Sequence, residues 1–154
     1  MKFKFNQVLQ LHNRAILISG FLMALFSDQL TKYIWPVKSI NQGVVFGKLV
    51  LSNEFIHLLY ALLIISLLWL ARWYCRHTTG WLIVASYGLL IGAATSNWLD
   101  RWLYQGTRDI WPVYGLPIVN NLADWLIVGS GVVIVMTDWL SYFSHKRSEI
   151  YHEA

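Results

Sequence analysis

Two aspartates carry the strongest chemical signal in this sequence. Asp109 lies in a polar segment, and Asp124 follows 15 residues later at the start of an apolar run. Two carboxylates that are brought together can share one proton, so that one acts as a base and the other as an acid. Such a pair activates water without a metal ion or a covalent nucleophile. For Asp124 the sequence leaves a second interpretation open, because Asn or Asp at a helix start is also ordinary N-capping.

Two further polar clusters have helical spacing. Asp28 and Lys32 are four residues apart, so on a helix they share one face and can pair. The sequence favours a structural ion pair there over direct chemistry. Asn97 and Arg101 have the same spacing and should project together. The Arg101 guanidinium could bind a backbone carbonyl or a phosphate, or it could pair with Asp100, and both interpretations stay open.

The residues or motifs that other catalytic mechanisms require are missing from this sequence. A Ser–His–Asp triad is disfavoured, because no serine lies in a nucleophile-elbow motif and His57 is isolated from the other histidines. The sequence contains no HExxH zinc motif, P-loop or GxGxxG. Cys75 is the single cysteine, which excludes an intrachain disulfide and a cysteine metal cluster. We therefore expect no metal and no cofactor, and among enzyme mechanisms an aspartyl one has the most support.

The elements that must position these residues are membrane helices. Hydrophobic residues make up 56% of the 154 residues and charged residues only 13%, about half the usual share of a soluble domain. This composition excludes a disordered chain, a secreted disulfide scaffold and a nucleic-acid module. Apolar runs of about 20 residues predict four transmembrane helices in a single domain, residues 1–154, with spans at about 15–35, 55–73, 81–99 and 122–143.

The connections between the spans predict a topology and a small β-structure. Seven Lys and Arg residues fall on the side of both termini and five on the opposite side, so we expect cytoplasmic termini and external acidic clusters. Tryptophans near the span ends predict an aromatic belt. Residues 36–53 contain Val44, Val45, Phe46, Leu49 and Val50, which favour a short extended hairpin. Residues 102–120 contain glycines and prolines, which indicate a structured loop.

Five segments resemble, in chain order, the motifs of the bacterial lipoprotein signal peptidases (signal peptidase II). The resemblance covers the whole chain. Four segments are similar to the family patterns D-Q-x-T-K, N-x-G-x-x-F, N-x-x-D-R and N-x-A-D, and they are Asp28–Lys32, Asn41–Phe46, Asn97–Arg101 and Asn121–Asp124. The fifth, Gln105–Ile110, stands where the family has G-x-V-V-D-F and matches only at Asp109.

The resemblance implies an aspartyl endopeptidase of the bacterial inner membrane, with four transmembrane helices and a small extracytoplasmic β-cradle. Such enzymes remove signal peptides from diacylglyceryl-modified prolipoproteins, cutting just before the lipidated cysteine. By this resemblance Asp109 and Asp124 are the catalytic pair. The residues implied to hold the substrate backbone or the pair are Asn41, Gly43, Asn97, Arg101 and Asn121, while Asp28 and Lys32 support the surrounding structure. The expected partners are the prolipoprotein and membrane lipids, without nucleic acid, and we expect a monomer.

The chain also departs from the family patterns. Ser96 replaces a glycine, Asn120 replaces an aromatic residue, and Thr107-Arg108 replaces a hydrophobic pair. These departures indicate a divergent member with its own substrate preference. Because neighbours in an extended segment point to opposite sides, we expect Arg108 to face away from Asp109, towards substrate or lipid headgroups. The alternatives are an inactive relative that acts as a scaffold and a non-enzymatic four-helix membrane protein.

Overall fold

The structure is a computed structural model that describes residues 2–43, 51–77 and 80–152. Four α-helices dominate the described chain: α1 (Lys2–Ile34), α2 (Asn53–His77), α3 (Trp81–Tyr104) and α4 (Leu122–His152). Each contains a stretch long and apolar enough to cross a membrane, and these stretches are Gln7–Ile34, Asn53–His77, Trp81–Tyr104 and Leu122–Phe143. The predicted four-helix membrane fold is therefore confirmed.

The helix ends differ from the predicted spans for local reasons. Helix α1 begins at Lys2, well before the predicted Ala15, because residues 2–14 contain no proline or glycine that would interrupt it. It ends at Ile34, two residues before Pro36, because a proline disfavours helical geometry in the residue before it. Helix α3 continues past the predicted Leu99 to Tyr104, so Arg101 lies in its last turn.

Helix α3 is the centre of the bundle and packs against the other three helices. Its contact with α1 is close, because a Cβ atom added to Gly88 would collide with the backbone oxygen of Leu17 and one added to Gly92 with that of Phe21. Small residues at such an interface let two membrane helices approach closely. The other helices expose large apolar side chains such as Trp69 on α2, as lipid-facing surfaces do.

Four short strands complete the fold at one end of the bundle. Strand β1 (Ser39–Asn41) pairs antiparallel with β2 (Thr107–Asp109), opposing Ser39 to Asp109 and Asn41 to Thr107. Strands β3 (Trp111–Pro112) and β4 (Val119–Asn120) form an antiparallel pair within the α3–α4 connection, which is structured as predicted.

The extended segment after α1 is present as β1, and its described partner lies in a distant part of the chain. The described partner of β1 is β2 of a distant connection rather than a second strand within residues 36–53. The remaining residues of the expected hairpin, 44–50, lie outside the described residues. The pairing matters for the site, because it holds the segment carrying Asp109 against the segment carrying Asn41.

Candidate active site

Asp124 lies in the first turn of α4 and forms a reciprocal cap with Asn121. The Asn121 backbone N–H donates to Asp124 Oδ2 (3.2 Å), and the Asp124 N–H donates to Asn121 Oδ1 (3.0 Å). The capping interpretation is therefore correct, but it uses only one carboxylate oxygen. The other oxygen, Oδ1, accepts a hydrogen bond from Asn97 Nδ2 at 3.0 Å. Both oxygens of the Asp124 carboxylate are therefore held by hydrogen bonds from N–H groups of the protein.

Asp109 ends strand β2 and is buried, with 2% of its surface exposed. Its Oδ1 accepts a hydrogen bond from Asn121 Nδ2 at 2.8 Å, and Asn41 is a second side-chain hydrogen-bond partner. Burial raises the pKa of Asp109 from 3.8 to about 6, and the negative charge of Asp124 adds to this rise, while the hydrogen bonds oppose it. Burial and the like charge therefore keep Asp109 protonated to a higher pH than an exposed aspartate, up to about pH 6.

Asn121 links the two carboxylates. Its side-chain nitrogen binds Asp109, while its side-chain oxygen and its backbone N–H bind Asp124. The residue is fully buried, so its amide has little freedom to turn. Two carboxylates in different surroundings, one buried in β-structure and one at a helix N-terminus, are thereby held on a single residue.

Arg101 binds backbone carbonyls, which decides between the two interpretations left open by the sequence. Its Nη2 donates to the Gly43 carbonyl oxygen (2.7 Å) and its Nη1 to that of Gln42 (3.2 Å). Asp100 points elsewhere and shares no ion pair with Arg101 among the described residues. The planar guanidinium therefore fixes the turn that follows β1 against α3.

The predicted pair of Asp28 and Lys32 is confirmed, with Lys32 Nζ 2.6 Å from Asp28 Oδ2 and both side chains fully buried. Asp28 Oδ1 also accepts a hydrogen bond from the backbone N–H of Ala123 (2.8 Å), which ties α1 to the N-terminus of α4. Lys32 Nζ donates to Asn97 Oδ1 at 3.0 Å. Because that oxygen is engaged by a cation, the Asn97 amide must turn its NH₂ group towards Asp124. The pair thus orients a partner of Asp124.

Arg108 does not face substrate or headgroups, and that prediction is wrong. Strand alternation does turn its side chain away from Asp109, but that side of β2 faces α3. The guanidinium Nη2 lies 2.8 Å from Asp100 Oδ1 and donates to Gln29 Oε1 at 2.7 Å. Asp100 also binds Lys32 at 3.0 Å. Arg108 therefore completes a buried group of two cations and two anions with zero net charge.

Two other departures from the family patterns also join this framework. The Ser96 hydroxyl, at the position of the family's glycine, donates to Asp28 Oδ2 at 2.6 Å and accepts from Gln29 Nε2 at 2.8 Å. The Thr107 hydroxyl donates to the Asn41 carbonyl oxygen at 3.3 Å and accepts from Arg101 Nη2 at 3.4 Å. The Ser96 and Thr107 hydroxyls therefore both have polar partners inside the protein.

Gly106 is one position later than the family's glycine, yet the structure requires a glycine there. A Cβ at this position would lie 2.9 Å from the Asn41 backbone oxygen and 2.7 Å from Ile40 Cγ2. The preceding residue, Gln105, ends α3 in the left-handed conformation with φ 58°. The reversal at Gln105 and the bare backbone at Gly106 allow β2 to reach β1.

A cavity of about 220 Å³ opens beside these residues. Its polar wall includes five of the residues named above: Asn41, Asn97, Arg101, Thr107 and Asp124. Its apolar wall is formed by Tyr60, Ile127 and Val128. Tyr60 was missed by the sequence reasoning, since nothing in its neighbourhood marks it. Its ring lies 5.6 Å from the Arg101 guanidinium carbon, and its hydroxyl accepts from Arg101 Nε at 3.4 Å.

Metal ligands do not converge in the part of the chain that the structure describes. No three His, Cys, Asp or Glu side chains there are grouped as a metal ion would require. The acids near the cavity are bound instead by amides, cations and backbone N–H groups, as with Asp28 and Lys32.

The fold and the site define a multi-pass membrane protein in which Asn121 links a cavity-lining carboxylate, Asp124, to a buried one, Asp109, an arrangement suited to aspartyl hydrolysis. The family model described as "Signal peptidase (SPase) II" matches residues 20–141. The chain therefore belongs to the signal peptidase II family and is a peptidase, a hydrolase.

Relatives agree with this assignment. The lipoprotein signal peptidase of Syntrophomonas wolfei is 33% identical over 114 residues, which cover 71% of this chain and 68% of the relative. That of Helicobacter acinonychis is 30% identical and covers 88% of this chain and 92% of the relative. A solved bacterial membrane enzyme structure has the same fold, with a TM-score of 0.68 at 20% identity over 84% of this chain and 90% of that one.

Proposed function

We propose that this peptidase removes signal peptides from diacylglyceryl-modified prolipoproteins, with Asp109 and Asp124 as its catalytic pair. The observation that carries the assignment is Asn121, which binds both carboxylates at once. The relatives from Syntrophomonas and Helicobacter, which are lipoprotein signal peptidases, support the substrate class. We also propose that the protein acts as a monomer.

The different surroundings of the two carboxylates support different roles. Asp124, which lines the cavity, acts as the base and takes a proton from water as the water oxygen attacks the scissile carbonyl carbon. Asp109, protonated and buried, donates its proton to the carbonyl oxygen as that oxygen gains charge. When the tetrahedral intermediate collapses, Asp109 takes back the proton from one of its hydroxyl groups and the C=O bond re-forms. The C–N bond breaks at the same time, and the departing nitrogen receives the proton held by Asp124. The pair then shares one proton again.

The other residues hold the pair and the substrate. Asn97 and Asn121 fix the orientation of the carboxylates through their amides. Arg101 holds the turn at Gly43 in the cavity wall, where an extended substrate backbone could lie beside Asn41. Asp28 and Lys32 hold α1, α3 and α4 together behind the site.

The decisive experiment is cleavage of a lipid-modified prolipoprotein by the purified protein in a membrane mimetic. Asp109→Asn and Asp124→Asn should each reduce turnover by at least 1,000-fold, because asparagine keeps the shape of aspartate but carries no transferable proton. The matched control is Asp138→Asn, which changes another carboxylate of α4 that accepts a hydrogen bond from Tyr74. Its turnover should stay near that of the unaltered protein. Near-native turnover in either Asp109→Asn or Asp124→Asn would disprove the assignment.

We also propose that the protein lies in the bacterial cytoplasmic membrane with both termini inside and the active site at the outer face. The distribution of Lys and Arg supports this orientation, since cytoplasmic connections are enriched in them. Reporter fusions after Arg76 and after Arg147 should be cytoplasmic, whereas a fusion at Lys38 should be external. An external reporter after Arg76 would reverse the orientation.

A further inference from the structure

A second cavity, of about 290 Å³, lies between α1 and α2. Three arginines line it: Arg14 from α1, and Arg72 and Arg76 from α2. Arg14 precedes Asp28 by 14 residues on the same helix, which is about 21 Å along the axis. The cavity is therefore at the opposite end of the bundle from the active site, close to the other membrane surface.

The arginines of this cavity have no carboxylate partner among the described residues. None of the ion pairs there involves Arg14, Arg72 or Arg76, and all three side chains are exposed. Asp138, a carboxylate of α4, accepts a hydrogen bond of 2.6 Å from Tyr74 instead. Three positive charges thus converge from two helices on one cavity, without a carboxylate partner among the side chains that the structure describes.

The rest of the cavity wall is largely apolar. Leu17 follows Arg14 by three residues, and Leu68 precedes Arg72 by four, so each leucine lies one helical turn from an arginine on the same face. On both helices the leucine lies on the side of the arginine nearer the bilayer centre. The cavity therefore combines a cationic mouth at the membrane surface with an apolar wall that extends towards the lipid interior.

We propose that this cavity binds an anionic glycerophospholipid from the leaflet opposite the active site. The headgroup phosphate would lie among the three guanidiniums, whose paired N–H groups match phosphate oxygens. An acyl chain would lie against Leu17 and Leu68. Basic pockets between membrane helices suit anionic headgroups in this way, and a freely soluble phosphate would leave the apolar wall unused.

The test measures lipid binding to the purified, delipidated protein by native mass spectrometry. Phosphatidylglycerol should bind with one lipid per chain, and phosphatidylcholine with the same acyl chains should bind at least tenfold more weakly. Arg72→Gln and Arg76→Gln should each weaken phosphatidylglycerol binding by about fivefold, and the triple variant with Arg14→Gln by about 100-fold. The matched control, Lys38→Gln, removes an exposed cation from the other end of the molecule and should leave binding unchanged.

Three results would overturn the proposal. They are equal affinity for the two lipids, unchanged binding in the arginine variants, and equally tight binding of water-soluble glycerol 3-phosphate, which would indicate a phosphate site without a lipid. Each single variant changes one exposed side chain and should fold like the unaltered protein. Thermal unfolding in phosphatidylcholine checks this. If the triple variant does not fold, the two single variants still decide the matter.

Discussion

Replacing Asp109 by asparagine should stabilise the folded protein above pH 6 while it removes catalysis. The pKa of Asp109 is about 6 in the folded protein, against 3.8 in the unfolded chain. Between pH 3.8 and about pH 6 the native protein therefore keeps a proton on Asp109 that the unfolded chain has released. Stability therefore falls as the pH rises through this window and stays low above pH 6, where the carboxylate is charged and buried. Asparagine has no charge to bury, so the variant escapes this loss.

The magnitude follows from the two pKa values of Asp109. A rise in the pKa from 3.8 to about 6 means that ionising the buried carboxyl lowers the free energy of unfolding by about 3 kcal/mol at pH 8, relative to a group that stays neutral. An asparagine NH₂ group cannot accept a hydrogen bond as a carboxylate oxygen does, and we deduct about 1 kcal/mol for that loss. The expected net gain is about 2 kcal/mol, or roughly 4–8 °C in the unfolding temperature of a chain of this size.

The assay is thermal unfolding of the purified Asp109→Asn variant and the unaltered protein at pH 8 and pH 4. The stability difference should be largest at pH 8 and should shrink by more than half at pH 4, where Asp109 of the native protein is protonated. Asp138→Asn serves as the control, because it makes the same substitution at an exposed carboxylate of α4. A destabilised Asp109→Asn variant at pH 8, or a difference independent of pH, would refute the argument.

Three further substitutions test the site and its framework. The double variant Asp109→Asn/Asp124→Asn should be little less active than either single variant, because the rate losses from residues that act as one unit do not add. Additive losses in the cleavage assay would contradict a shared proton. Arg108→Val should lower the free energy of unfolding by roughly 2–4 kcal/mol, because it leaves the buried Asp100 with one cation fewer. Unchanged stability in denaturant titrations, together with altered substrate preference, would restore the prediction that Arg108 faces substrate or headgroups. Ser96→Gly removes a hydroxyl hydrogen-bonded to a buried carboxylate and should cost about 2 kcal/mol in the same titrations, whereas a neutral result would show that this hydroxyl is dispensable.

Features that depend on residues close in the chain could be predicted from the sequence. Runs of apolar residues indicate membrane helices, because the bilayer sets their length and excludes unpaired backbone groups. Helical spacing was enough to pair Asp28 with Lys32, and strand alternation was enough to turn Arg108 away from Asp109. Resemblance to the signal peptidases supplied the assignment of Asp109 and Asp124, which spacing alone left open.

What lies opposite each side chain was decided by the tertiary structure. The pairing of β1 with β2 joins segments more than 60 residues apart, and no local pattern specifies such a partner. Arg101 binds the Gly43 carbonyl and Arg108 binds Asp100, although the chain places Asp100 directly beside Arg101. Neighbouring residues on a helix point about 100° apart, so Asp100 and Arg101 do not face each other although they are adjacent in the sequence. Packing between α3 and the strands selects the partner of each.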